Sequence, residues 1–226
     1  TYTGDGSTSL AITNDGNSDL KPDFAWFKRR DAAVNHSLFD SSRGATKMLY
    51  SDLTNAEYTN AQSLKTFNTD GFTLGNYGTI NVGSGTFVAW QWKANGGTVT
   101  TVAESGSNPG FTRQTNTTAG FSIIAYTGTG SNGTIAHGLP STPEFLIFKR
   151  RDATQFWCVW QQAIGDDYKL ALQSTDALDS DGAFMNSTLP TSTNITVGGA
   201  SVNTNADNGT YICYAFSPVQ GYSKFG

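Results

Sequence analysis

Few side chains in this sequence have the type and spacing that chemistry requires. The densest group is the hexapeptide FKRRDA, at 27–32 and again at 148–153. It sets Lys28, Arg29, Arg30 and Lys149, Arg150, Arg151 in two triplets, within a chain that has 14 Lys and Arg in all. A cationic spot of this kind suits an acidic glycan or a neighbouring subunit. The same residues also make a solubilised strand end with a local Arg–Asp pair, worth ~0–1 kcal/mol. Trp90 and Trp92, two residues apart in TFVAWQW, share one face of a strand and offer a sugar-stacking platform. Core packing is the competing reading, because aromatic residues recur at the matching positions of TYICYAF (210–216). Asp15, Asn17 and Asp19 alternate as the oxygens of a calcium loop do, but Leu20 stands where that loop needs Gly and no bidentate Glu follows in register. An ordinary turn is the default there.

Other catalytic patterns are missing from the sequence. The two histidines, His36 and His137, lie at unrelated positions of the two halves and make a poor metal cluster. There is no GxSxG elbow, P-loop or dinucleotide fingerprint. Acidic residues gather in turns such as NTDG (68–71) and DSDG (179–182), away from the aromatic strands where glycosidases pair their carboxylates. A non-enzymatic protein without cofactor or metal is expected. Net charge is −4 and the pI about 5.0, which argues against a nucleic-acid face. No run reaches the roughly 18 apolar residues of a membrane helix. Thr1 in place of Met implies a chain that begins after processing or as an excerpt. Cys158 and Cys213, both inside apolar runs of the second half, read as buried small hydrophobes rather than a disulfide. N-x-S/T sequons such as those at Asn35, Asn116, Asn186, Asn194 and Asn208 follow from an Asn/Thr-rich composition.

The elements that must carry these residues occur twice. YTGDGST at 2–8 matches YTGTGSN at 126–132, and KPDFAWFKRRDA at 21–32 matches TPEFLIFKRRDA at 142–153. RGATKMLYSD faces IGDDYKLALQSTD, GFTLG faces NITVG, and SGTFVAWQWKA faces NGTYICYAFSP, all in the same order. The offset is 124 for the first pair (2 to 126) and 121 for FKRRDA (27 to 148). Duplication alone therefore puts FKRRDA in both halves. Each half holds short aromatic or β-branched runs separated by turn residues, so the expected class is all-β: tandem β-sandwich repeats of jelly-roll type. Residues 1–97 are expected to form the first repeat, 121–226 the second, and 98–120 a linker or extra strands around TVTTV and FTRQT. Residues 52–66 read as a long loop or one short helix. Strands as apolar on both faces as TFVAWQW and TYICYAF are expected to be covered on both sides.

YTGDGS, PDFAWFKRRD, FDSSRGATKMLYSD, FNTDGFTLG, GTFVAWQWKA and NTTAGFSIIAYTGTGSNGTIAHGL together resemble a repeat module of marine tailed-phage virion proteins. The closing GTYICYAFSPVQGYSKFG resembles the end of the same module. These modules are similar to concanavalin A-like, laminin-G-like β-sandwiches, and the resemblance covers nearly the whole chain. It implies a structural or adhesive virion protein (tail fibre, spike or capsid appendage) at the virion surface, hence extracellular. Its partners would be other copies of itself, other virion proteins and host surface glycans, with no nucleic acid and no membrane insertion. The family pattern transfers no catalytic residue. The second half lacks the Arg and Thr of RGATK, which weakens Arg43 and Lys47 as a site shared by both halves. A carbohydrate-binding module for host glycans is the alternative, as is a secreted filament or surface-layer subunit of a bacterium or archaeon.

Overall fold

A computed structural model describes residues 1–226. The chain divides into two compact units, residues 1–53 with 57–97 and residues 54–56 with 98–226.

Short aromatic and β-branched runs between turn residues give the first unit nine strands: β1 (Tyr2–Thr3), β2 (Leu10–Ile12), β3 (Phe24–Arg29), β4 (Ser37–Asp40), β5 (Lys47–Tyr50), β6 (Tyr58–Thr59), β7 (Leu64–Phe67), β8 (Phe72–Leu74) and β9 (Thr86–Trp92). They form a six-stranded sheet in the order β1-β9-β3-β4-β5-β6 and a three-stranded sheet β2-β8-β7, with every pairing antiparallel. Ala25, Phe27, Phe39 and Met48 of the larger sheet pack with Leu64, Phe72 and Leu74 of the smaller in one buried cluster. Phe24, Trp26 and Lys28 alternate with these residues and occupy the other face of β3.

The second unit adds β10 (Thr100–Val102), β11 (Phe111–Asn116), β12 (Phe121–Thr127), β13 (Gly133–Ala136), β14 (Phe145–Arg150), β15 (Trp157–Gln161), β16 (Tyr168–Ala171), β17 (Asp179–Ser180), β18 (Asn194–Val197) and β19 (Thr210–Phe216). Its large sheet runs β10-β11-β12-β19-β14-β15-β16-β17 and its small one is β13-β18. Leu146, Phe148, Cys158, Trp160 and Cys213 pack with Ile135, Ile195 and Val197 in its core.

From β12 onward this order matches that of the first unit strand for strand, and β13-β18 matches β2-β8. Bonds match as well. Gly4 N–H donates to Gly85 O at 2.8 Å, and Gly128 N–H to Gly209 O at 2.8 Å. Tyr2 stacks on Phe87 at 5.1 Å, and Tyr126 on Tyr211 at 5.1 Å. A Cβ at Gly4 or Gly128 would lie 2.4 or 2.3 Å from the carbonyl oxygen of Val82 or Ala206, so YTG is kept in both halves by the close approach of two backbones. β10 and β11 have no counterpart in the first unit; they extend the sheet from the edge of β12.

Inspection decides between two pairs of alternatives and changes one expectation. Residues 52–66 form no helix: they hold turns, β6 and the start of β7, and the chain's only helical pieces are 3-10 turns at Gln162–Ile164 and Gly182–Phe184. Residues 98–120 include strands of the second unit's sheet, and the unit also takes in Thr54–Ala56. The two long C-terminal strands differ in cover. Tyr211 through Ala215 of β19 are all buried, whereas Trp90 of β9 is 46% exposed. β1 pairs with β9 only at Phe87 and Thr86, so β1 ends short of Trp90 and Trp92. Cys158 and Cys213 are buried free thiols, the former pushed up to about 12 by desolvation.

Candidate functional site

The FKRRDA repeats are built into the fold in the same way twice. Lys28 Nζ donates to the carbonyl of Val34, six residues on; Lys149 Nζ donates to the carbonyl of Gln155, also six on, at 2.8 Å. Arg29 makes a two-pronged pair with Asp31 (Nε to Oδ1 2.7 Å, Nη2 to Oδ2 3.3 Å), and Arg150 does so with Asp152 (3.0 Å for both prongs). Each arginine holds its aspartate below the usual carboxylate range. Arg30 and Arg151 contribute backbone N–H bonds to Thr86 O and Thr210 O, at 2.8 and 2.7 Å. The motif is thus a clasp at the mouth of a hairpin: the lysine ties down the returning chain and the Arg–Asp pair fixes the turn. Lys149 is fully buried; it also donates to Thr54 O at 3.1 Å, and desolvation draws its pKa down to about 8.

Lys149→Ala strands two carbonyls and is expected to lower unfolding free energy by about 1–3 kcal/mol. Arg30→Glu, at an exposed side chain, is expected to stay within ~0.5 kcal/mol. Urea titration of both variants checks the contrast, and a larger effect at Arg30 would refute the clasp.

Other polar clusters likewise serve the fold. Asp15, Asn17 and Asp19 lie in an exposed bend, and no three His, Cys, Asp or Glu side chains gather closely enough to hold a metal ion. Arg43 is buried; it pairs with Asp40 and with Glu57 (2.9 Å) and donates to Leu38 O and Lys47 O, both at 3.2 Å. Lys47 itself begins β5. The hydroxyls of Tyr50, Tyr58 and Tyr77 close a triangle with sides of 2.6, 2.6 and 2.7 Å. Register places Met48 and Tyr58 of β5 and β6 where the second unit has Lys169 and Asp179. There Lys169 pairs with Asp179 and Asp181 at 2.6 Å each. The same sheet edge is thus held by phenols in one unit and by ions in the other.

Burial raises Tyr50 to about 12 and raises Tyr58 further. The folded chain keeps protons that the unfolded chain releases near pH 10. The corresponding stability is present below pH 10 and falls as pH rises toward 12. Thermal melts across that range are expected to drop more steeply for the wild type than for Tyr58→Phe.

One cluster remains outside these networks. Trp26, His36, Trp90 and Trp92 line a shallow cleft of about 350 Å³ on the first unit. Trp26 and Trp90 sit directly across from each other on β3 and β9, with rings edge to face at 6.5 Å and 79°. Trp92 leans on Phe24 at 5.1 Å. Trp26 Nε1–H donates to His36 Nδ1 at 2.9 Å, which requires the neutral tautomer with its proton on Nε2. Burial and then the Lys28 charge hold His36 below its ordinary pKa, against a smaller opposing pull from Asp52. The main chain N–H of His36 is fixed by Asp52 Oδ1 at 3.1 Å. Two of the residues, Trp90 and Trp92, are marked by their spacing in the sequence. Trp26 was readable only as one more strand aromatic, and His36 carried no signal, because its role arises from the pairing of β3 with β4.

A family model described as a domain of unknown function (DUF7483) matches residues 1–226. No curated protein and no solved structure matches the chain.

Proposed function

We propose, for a chain that belongs to the DUF7483 family, a non-enzymatic structural and adhesive role on the surface of a tailed-phage particle, as a tail fibre, spike or appendage protein. The architecture we assign is a tandem pair of concanavalin A-like, jelly-roll sandwiches. The observation that carries this reading is the repeated framework. Sheet order, clasp and backbone bonds recur from one unit to the next, and the polar clusters of both units hold strands and turns together. Such a module is a rigid scaffold, and repeated weak contacts from many copies sum by avidity. The resemblance of its motifs to virion repeat modules supplies the location.

Cryo-electron microscopy and mass spectrometry of purified native particles test the proposal. The expected result is the chain in many copies at the particle exterior. Absence from particles, or an interior place against the genome, would overturn it. A carbohydrate-binding role is favoured by one specific observation, the uncommitted aromatic cleft.

A further inference from the structure

The adhesive reading leaves open what is gripped, and the inference below rests on that reading. We infer that the face formed by Trp26, His36, Trp90 and Trp92 binds a neutral glycan, seating the C–H faces of sugar rings on its indoles and a sugar hydroxyl at His36 Nε2.

Size selects a small ligand. A cleft of about 350 Å³ lined by four side chains is of ligand scale, since ligand pockets run from ~300 Å³ upward. It falls far short of the ~20–30 residues per side of a stable protein interface. Chemistry then selects among ligands. All four lining groups are aromatic and none is aliphatic or charged. Aromatic faces are electron-rich, and they attract the weakly positive C–H face of a pyranose. A lipid chain would call for enclosure by branched aliphatic walls, whereas this cleft is shallow. A quaternary ammonium also suits aromatic faces, but it would bring a full positive charge beside Lys28, whose charge already bears on His36. An anionic glycan needs free cations, and Lys28, the cation that bears on His36, is tied to Val34 O.

His36 is a positioning residue as well as a donor. It fixes the Trp26 ring through Nδ1, and its Nε2 makes no hydrogen bond within the chain. The second unit offers no equivalent site. Ile147 stands across from Tyr214 there, as Trp26 does from Trp90, and both are buried. One glycan site per chain follows.

Isothermal titration calorimetry of the full chain would use neutral cello-, manno-, galacto- and β-1,3-gluco-oligosaccharides, with sialyllactose, heparin oligosaccharides and choline as charged probes. Saturable binding of a neutral glycan at one site per chain is expected, with the charged probes weaker. Trp90→Ala, at a half-exposed position, is expected to weaken binding at least tenfold, and Trp90→Tyr to retain most of it. His36→Ala is expected to weaken binding and to change the indole fluorescence of Trp26.

No binding of any neutral glycan, or binding indifferent to both Trp90→Ala and Trp26→Ala, would overturn the inference. So would tighter binding of choline, or a chain dimer that Trp90→Ala dissolves. Incorporation into particles is scored separately. Normal incorporation of a chain that binds no glycan would sink this inference and leave the particle role standing.

Discussion

Arg43→Ala is expected to lower unfolding free energy by ~3–5 kcal/mol, the loss typical of breaking a buried ion pair from one side. The guanidinium lies between two acidic partners, Asp40 and Glu57, whose side chains are 0% and 9% exposed. Its removal leaves both carboxylates in a poorly solvated site and strands the carbonyls of Leu38 and Lys47. Arg43→Lys is expected to recover only part of the loss. A single ammonium cannot span Asp40, Glu57 and two carbonyls with the fixed fork of a guanidinium. Urea denaturation followed by tryptophan fluorescence measures both variants. A loss below ~1 kcal/mol for alanine would mean that the network relaxes onto water and does not hold β4, β5 and the Glu57 segment together.

The second large effect is expected at Asn81, with a built-in comparison at Asn205. Asn81 Oδ1 accepts from the N–H groups of Asp5 (3.0 Å) and Gly6 (3.1 Å), and its Nδ2 donates to Ser7 O and Gly75 O, both at 3.0 Å. Asn205 repeats half of this arrangement 124 positions later. It accepts from Thr129 N–H at 2.9 Å and donates to Ser131 O at 2.6 Å. Each stranded backbone group costs ~1–3 kcal/mol where it is cut off from water. Asn81→Ala is therefore expected to lose about 3 kcal/mol or more, and Asn205→Ala about half as much. Asn81→Asp, equal in size, is expected to be no better than alanine, because it sets a carboxylate oxygen against Ser7 O and Gly75 O. Thermal denaturation of the three variants decides the order. Equal losses at the two asparagines would show that bond count does not govern the effect.

Local signals in the sequence carried most of the strands. DFAWF, KMLYS, FTLG and TFVAWQW are short aromatic or β-branched runs with turn residues at their ends, and each lies on a strand. Internal similarity helped, since a weak signal such as NITVG gains weight beside GFTLG. Contacts that cross long stretches of chain left no local trace. Asn81 meets Asp5 at a separation of 76, and Arg43 meets Glu57 across 14 residues, in a segment readable only as a loop or short helix. Exposure of Trp90 was hidden for a different reason. TFVAWQW and TYICYAF are equally apolar on both faces, and what differs is the reach of the neighbouring strand: β1 ends after two residues while β12 runs for seven. The FKRRDA triplets were visible at once, but their purpose lay in carbonyls six residues downstream.

The clasps also govern how the molecule responds to its solvent. Four of the six cations in the triplets, Lys28, Arg29, Lys149 and Arg150, are bound to carbonyls or carboxylates of their own hairpins. Arg29 and Arg150 are thereby neutralised by their own aspartates, and the two lysines are held by backbone carbonyls. Attraction between surface charges dies away over ~8 Å at physiological ionic strength and ~3 Å in molar salt. The glycan binding proposed for the indole face is therefore expected to change little between dilute buffer and molar salt.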